Sequence, residues 1–109
     1  MATQFKNKVI QEVGLLPIVA IETDSATRST VIGLSLANLT ESVVAASVLI
    51  RAADSTIGYF MKDIMVPPNS SLRALSAGEK LILAPDNQLQ LQANEDAALD
   101  AVISYVDIV

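Results

Sequence analysis

Between Gln88 and Ala93 the chain alternates strictly, Gln88, Gln90 and Gln92 interleaving with Leu89, Leu91 and Ala93. A period of two belongs to a strand with one face buried and one in water; on a helix the same residues would scatter around the circumference. A slip of one residue would turn both leucines to solvent. The segment therefore demands a neighbouring strand in fixed antiparallel register and a core beneath it.

The rest of the chain supplies partners of the same kind. Turn-forming clusters recur along its length with β-branched runs between them. Candidate strands lie at Lys8 to Val13, Pro17 to Thr23, Thr30 to Asn38, Val43 to Ala53 and Thr56 to Val66, then Ser71 to Leu75, Glu79 to Ala84 and Leu99 to Ile108. In the third of these, Ile32, Leu34 and Leu36 fall on one face and Gly33, Ser35 and Ala37 on the other. Pro67, Pro68, Asn69, Ser70 and Ser71 form the clearest break, since proline cannot donate to a ladder and Asn and Ser favour turns. Ser76, Ala77 and Gly78 mark a second turn, and Pro85, Asp86 and Asn87 a third.

Two segments also fit a helix. Leu99, Val102, Ile103 and Val106 have helical spacing behind a capping Asn94 with Glu95 and Asp96, and Val43 to Ala53 follows Thr40 and Glu41. Both are assigned as strands, because Ile, Val, Ser and Tyr dominate the closing segment and the neighbours of both are β. About seven to nine short strands in one domain imply an all-β chain, a single antiparallel β-sandwich of jelly-roll or immunoglobulin-like type. Residues 1–13 form an N-terminal edge strand or arm, and residues 14–109 the sandwich domain.

Composition narrows the function. Of 109 residues, 51% are hydrophobic, 17% charged and only 4% aromatic, so the apolar mass is Val, Ile, Leu and Ala. A small sandwich cannot hide all of it, and another protein surface is the natural cover. The apolar runs are far shorter than the roughly 20 residues a membrane helix needs, so no membrane is expected as partner. No signal peptide is apparent, so synthesis in the cytoplasm is expected. The net charge is −5 and the seven basic residues are scattered singly, which argues against nucleic acid as a partner.

Cysteine and histidine are both absent. That removes thiolate and imidazole ligands, Ser-His-Asp and Cys-His catalysis, and any disulfide. No metal, cofactor or small-molecule substrate is expected. The one acidic cluster, Glu95, Asp96 and Asp100, reads as solvated loop and strand edge, with a calcium or hydrolytic carboxylate site as the alternative. The four glycines are too dispersed to cradle phosphate; Gly33 and Gly58 fall within strands, where a bulge or close backbone approach explains them.

Two groups of residues are candidates for self-assembly or partner contacts. Phe5, Val9 and Ile10 lie in the N-terminal segment, which either pairs with its own sheet as an edge strand or lies as an arm on a neighbouring subunit. Tyr59, Phe60 and Met61 form the one aromatic cluster, to be read as core packing or as a patch for a partner or a sugar.

Several stretches carry a resemblance: Phe5-Lys6-Asn7-Lys8, Thr30 to Asn38, Val66 to Leu72, Lys80 to Leu83 and Ala98 to Ile108. In this order they resemble the small virion structural proteins of tailed bacteriophages. The resemblance implies a non-enzymatic virion component that assembles as a symmetric oligomer with copies of itself and other virion proteins. Its place would be the neck, collar or tail, or alternatively the capsid surface as a decoration (cement) protein. A carbohydrate- or receptor-binding β-module using Tyr59 and Phe60 is the alternative of another class.

Overall fold

The computed structural model describes residues 2–75 and 78–109, so the turn expected at Ser76 and Ala77 lies outside the described residues. The described residues hold nine strands and no helix: β1 (Thr3–Val13), β2 (Ile18–Glu22), β3 (Arg28–Asn38), β4 (Val44–Arg51), β5 (Ile57–Val66), β6 (Ser71–Arg73), β7 (Leu81–Leu83), β8 (Gln88–Ala93) and β9 (Leu99–Ile108). Both segments that also fitted a helix are strands. Each runs between two hydrogen-bonded neighbours, β4 between β5 and β8, β9 between β1 and β3.

Two antiparallel sheets face one another. The first has the order β1-β9-β3-β6, with β7 also pairing β3; the second has the order β2-β8-β4-β5. β6 pairs with Ser35 to Ala37 and β7 with Ser29 to Val31, so together they form one interrupted edge beside β3. Counted that way, the chain crosses from sheet to sheet at each connection except the β4–β5 hairpin. This is the double Greek key of a jelly roll. An immunoglobulin-like sandwich would set the first two strands side by side, whereas β1 and β2 lie in different sheets.

The core fills the space between the sheets with aliphatic side chains. Leu34, Leu36, Leu89, Leu91, Leu99 and Ile103 are among the largest fully buried. β8 follows its expected alternation, its leucines inside and its glutamines half-buried on the outer face. At one end of the sandwich Asn38 crosses the layers, its amide reaching the carbonyl of Val66. At the other, Ser29 Oγ donates to Asp107 Oδ1, and the Lys6 ammonium lies 2.9 Å from Asp107 Oδ2.

The structure departs from the sequence reading in two places. β1 begins at Thr3, ahead of the expected Lys8, because Thr3 to Ile10 keep an unbroken register with Ile108 to Ala101 of β9. In β3 the register shifts between Val31 and Gly33 against Tyr105 and Ser104. That bulge adds a residue, which reverses the face of everything before it. Val31 is therefore in the core and Ile32 is exposed, the opposite of the simple alternation.

Candidate functional site

Opposed residues of an antiparallel pair share a face, so the register maps the outer surface of the first sheet. Ala101 and Ile103 of β9 point into the core, which leaves Val102, Ser104 and Val106 on the outside. Opposite these on β1 stand Val9, Asn7 and Phe5, and on β3 Ser35, Gly33 and Thr30. Ile82 of β7 lies beside Thr30, and Arg73 of β6 beside Ser35. The result is a small grid with a clear pattern. One row, Phe5, Val106, Thr30 and Ile82, crosses the whole sheet. Another begins Val9 and Val102. Between them runs a shallow trough in two parts that meet at Ile32 and Ser104, one bordered by Phe5 and Asn7 of β1, the other by Gly33, Ser35, Val102 and Arg73.

The face is apolar where water reaches it most. Phe5 is 80% exposed, Ile82 69% and Val9 60%. Its charged residues stand at the margin: Arg28 opposite Ile108, Arg73 on the short β6, and Asp100, which accepts the backbone N–H of Glu12 at 3.0 Å. Gly33 contributes by being small: a Cβ there would meet only the Ser104 side chain, at 3.7 Å, so glycine keeps the trough open without being sterically compelled.

The sequence candidates separate here. Phe5 and Val9 lie on this face. Ile10, the next residue, points inward and is 8% exposed, so it belongs to the core cluster. Tyr59, Phe60 and Met61 are on β5, the far edge of the second sheet, and the fold does not bring them near Phe5. Met61 packs against the core; Tyr59 is half exposed, with the Lys62 ammonium 5.3 Å from its ring centroid. Ile32, Ile82, Val102 and Val106 were missed. The signal for Val102 and Val106 was their alternation with Ala101 and Ile103, but Ile82 sits in an all-apolar Leu81-Ile82-Leu83 that shows no period.

Elsewhere the β1–β2 turn carries a second apolar group, with Leu15, Leu16, Ile18 and Val19 exposed. A polar cleft at one end of the sandwich is lined by Lys6, Arg51, Glu22, Asp24, Asp86 and Asp107 among others. Asp24 is held below the ordinary carboxylate range by the Thr27 hydroxyl and the Ala26 N–H. The acidic cluster disperses: Asp100 is tied to Glu12 while Glu95 and Asp96 sit in the β8–β9 turn. Among the described residues no group of three Asp or Glu side chains is placed to hold a metal ion.

No protein family and no curated protein matches this sequence. Two solved structures share the architecture. One is a chain from the disulfide-linked pili of Bacillus endospore appendages, 8% identical, with a TM-score of 0.59 over 98% of this chain and 88% of that one. The other comes from the acidic stable capsid of a Helicobacter pylori bacteriophage, 9% identical, with a TM-score of 0.53 over 100% of this chain and 89% of that one. At such identities the likeness is one of fold.

Proposed function

We propose that this chain is a non-enzymatic structural subunit, a building block of a particle that works by contacting copies of itself. The observation that carries this reading is the outer face of the first sheet, where Phe5, Val9 and Ile82 stand largely in water on a surface free of charge at its centre. Apolar patches of that kind on a soluble domain mark interaction surfaces.

The virion of a tailed phage is the setting the sequence resemblance implies, and a phage capsid chain with the same fold along the whole of this one supports it. That neighbour favours a place on the capsid over the neck, collar or tail. The pilus neighbour adds that one fold can also serve a filament, but its disulfide linkage has no counterpart in a chain without cysteine. A sugar-binding role for Tyr59 is less favoured, because Lys62 sits over the ring face on which a sugar would stack.

Native mass spectrometry of the purified protein, paired with quantitative mass spectrometry of purified particles, tests the proposal. Expected are oligomers in the first and a fixed stoichiometry in the second. A protein that stays monomeric at every concentration and is missing from particles ends it.

A further inference from the structure

We propose that two copies of this chain meet face to face through the outer surface of the first sheet, the β1-β9-β3-β6/β7 layer. The inference rests on the structural-subunit reading and adds to it a surface and an occupant.

The sheet edges are poor sites for pairing. Exposed edges of β-domains are the usual route to assembly unless they are short, bulged or guarded by charge. β2 has five residues and slips register between Val19 and Ile21. β5 slips twice against β4, and its Asp63 takes φ 51°, which turns the strand out of line. β6 and β7 are three residues each. β1 is long and shifts register only between Ile10 and Val13, but Lys6 and Lys8 stand exposed on the side opposite Phe5 and Val9. Antiparallel pairing of two β1 strands about Asn7 would set Lys6 of one copy against Lys8 of the other, and like charges directly opposed are destabilising. With the edges disfavoured, the faces remain for contact between copies.

Charge points to the same face. The chain carries −5 overall, so two copies repel through most of their surfaces. The rows built on Phe5 and Val9 hold no acidic residue, and Asp100 lies beyond them. The charges of this face, Arg28, Arg73 and Asp100, stand at the margin, so a partner for its centre must be apolar, and a second copy of the same face meets that requirement without a separate protein. The relation is self-matching, as a twofold contact requires.

The area of the face sets the kind of contact it can make. Strands about 4.8 Å apart, with about eight residues at about 3.4 Å each, give a face of roughly 500 Å² in plan. A standard specific interface buries about 800 Å² per partner. The face suits a modest pairwise contact that gains strength by repetition in a lattice or ring. It does not suit an isolated tight dimer.

Sedimentation velocity on the full chain over a concentration series tests this. Wild type is expected to self-associate reversibly. Phe5→Lys combined with Ile82→Lys is expected to raise the dissociation constant by at least about tenfold, as loss of central anchors does. Tyr59→Lys combined with Met65→Lys, on the outer face of the other sheet, should leave it unchanged. All four positions are solvent-exposed, and circular dichroism checks that each variant is folded; Phe5→Ala with Ile82→Ser repeats the test with milder changes. Ser104→Cys, the sole cysteine of its chain, should be joined into dimers by a short bifunctional maleimide. Self-association that survives the first-sheet variants overturns the face assignment and leaves the structural-subunit reading standing. A wild type that is monomeric throughout, yet stoichiometric in particles, overturns the face-to-face contact alone; monomeric and absent from particles, it overturns both.

Discussion

The side-chain amide of Asn38, where β3 leaves the first sheet, donates to the carbonyl of Val66 at the end of β5 in the second, at 3.0 Å. Its other N–H donates to the Ser42 carbonyl at 2.7 Å, and its oxygen accepts from the N–H and the hydroxyl of Thr40, both at 2.8 Å. Every hydrogen-bonding position of a nearly buried side chain is filled. Asn38→Asp keeps the shape but removes both donors and sets a carboxylate against two carbonyl oxygens. The expected loss is about 2–4 kcal/mol, since each buried group left unsatisfied costs about 1–3 kcal/mol. Urea unfolding should show a lower midpoint with an unchanged slope.

Gly14 and Ala97 form a second coupled pair. A Cβ on Gly14 would lie 3.2 Å from the backbone nitrogen of Ala97, which cannot retreat far because Ala98, its neighbour, donates to Val13 at 2.9 Å. Gly14→Ala should therefore cost about 1–3 kcal/mol, the usual range for overpacking. Ala97 itself adopts φ 47°, a left-handed conformation that strains an L-residue. Ala97→Gly should stabilise by up to about 1 kcal/mol once the greater freedom of glycine in the unfolded chain is set against the relief. Thermal melts of the two variants moving in opposite directions is the outcome to look for.

How much of this was legible in the sequence depends on the segment. Gln88 to Ala93 was readable because β8 is regular and covered on one side only. The start of β1 was not, because Thr3 to Val9 is exposed on both faces, so no buried period marks it and only its pairing with β9 makes it a strand. The outer face was half legible: Phe5 and Val9 stand out among polar neighbours, while Ile82 hides between two buried leucines. The inversion at Val31 and Ile32 was invisible, since a bulge is a property of two strands and leaves in one strand only a glycine such as Gly33 to hint at it.

That bulge makes a sharp prediction. Val31 is fully buried, so Val31→Ser loses core contacts and buries a hydroxyl, at an expected cost of about 2 kcal/mol or more. Ile32 is exposed, so Ile32→Ser should stay within about 0.5 kcal/mol of wild type. Simple alternation predicts the reverse ordering, and guanidinium melts of the two variants decide between them.

The pH dependence follows from three groups. Lys6 is held above its ordinary value of 10.5 by its hydrogen bond and charge interaction with Asp107. Asp24 is held below 3.8 by the Thr27 hydroxyl, and Asp54 likewise by the Thr56 N–H. A raised lysine contributes stability in full below its unfolded value and loses it as pH climbs through the folded one. A lowered carboxylate contributes in full above its unfolded value and loses it as pH falls through the folded one. Stability from these groups is therefore flat between about pH 5 and 9 and declines at both ends. The melting difference between wild type and Lys6→Met should persist across neutral pH and vanish in strong alkali; that for Asp24→Asn should vanish only in strong acid.

The proposed contact between copies has its own thermodynamic signature. A face centred on Phe5, Val9, Val102 and Ile82 brings together aliphatic and aromatic surface without ion pairs, so association should carry a negative heat-capacity change. Salt acts on two opposing kinds of contact. Were copies joined by pairs such as lysine to carboxylate, added sodium chloride would weaken them by screening. With a face whose charges stand only at its margin, the same screening instead reduces the repulsion between chains of net charge −5, and sulfate, excluded from apolar surface, strengthens burial further. Self-association should thus hold or tighten as sodium chloride rises, and tighten more in sodium sulfate at equal ionic strength. Isothermal dilution calorimetry at several temperatures measures both quantities in one series. Dissociation promoted by salt would assign the contact to the charged residues at the ends of the sandwich instead of to this face.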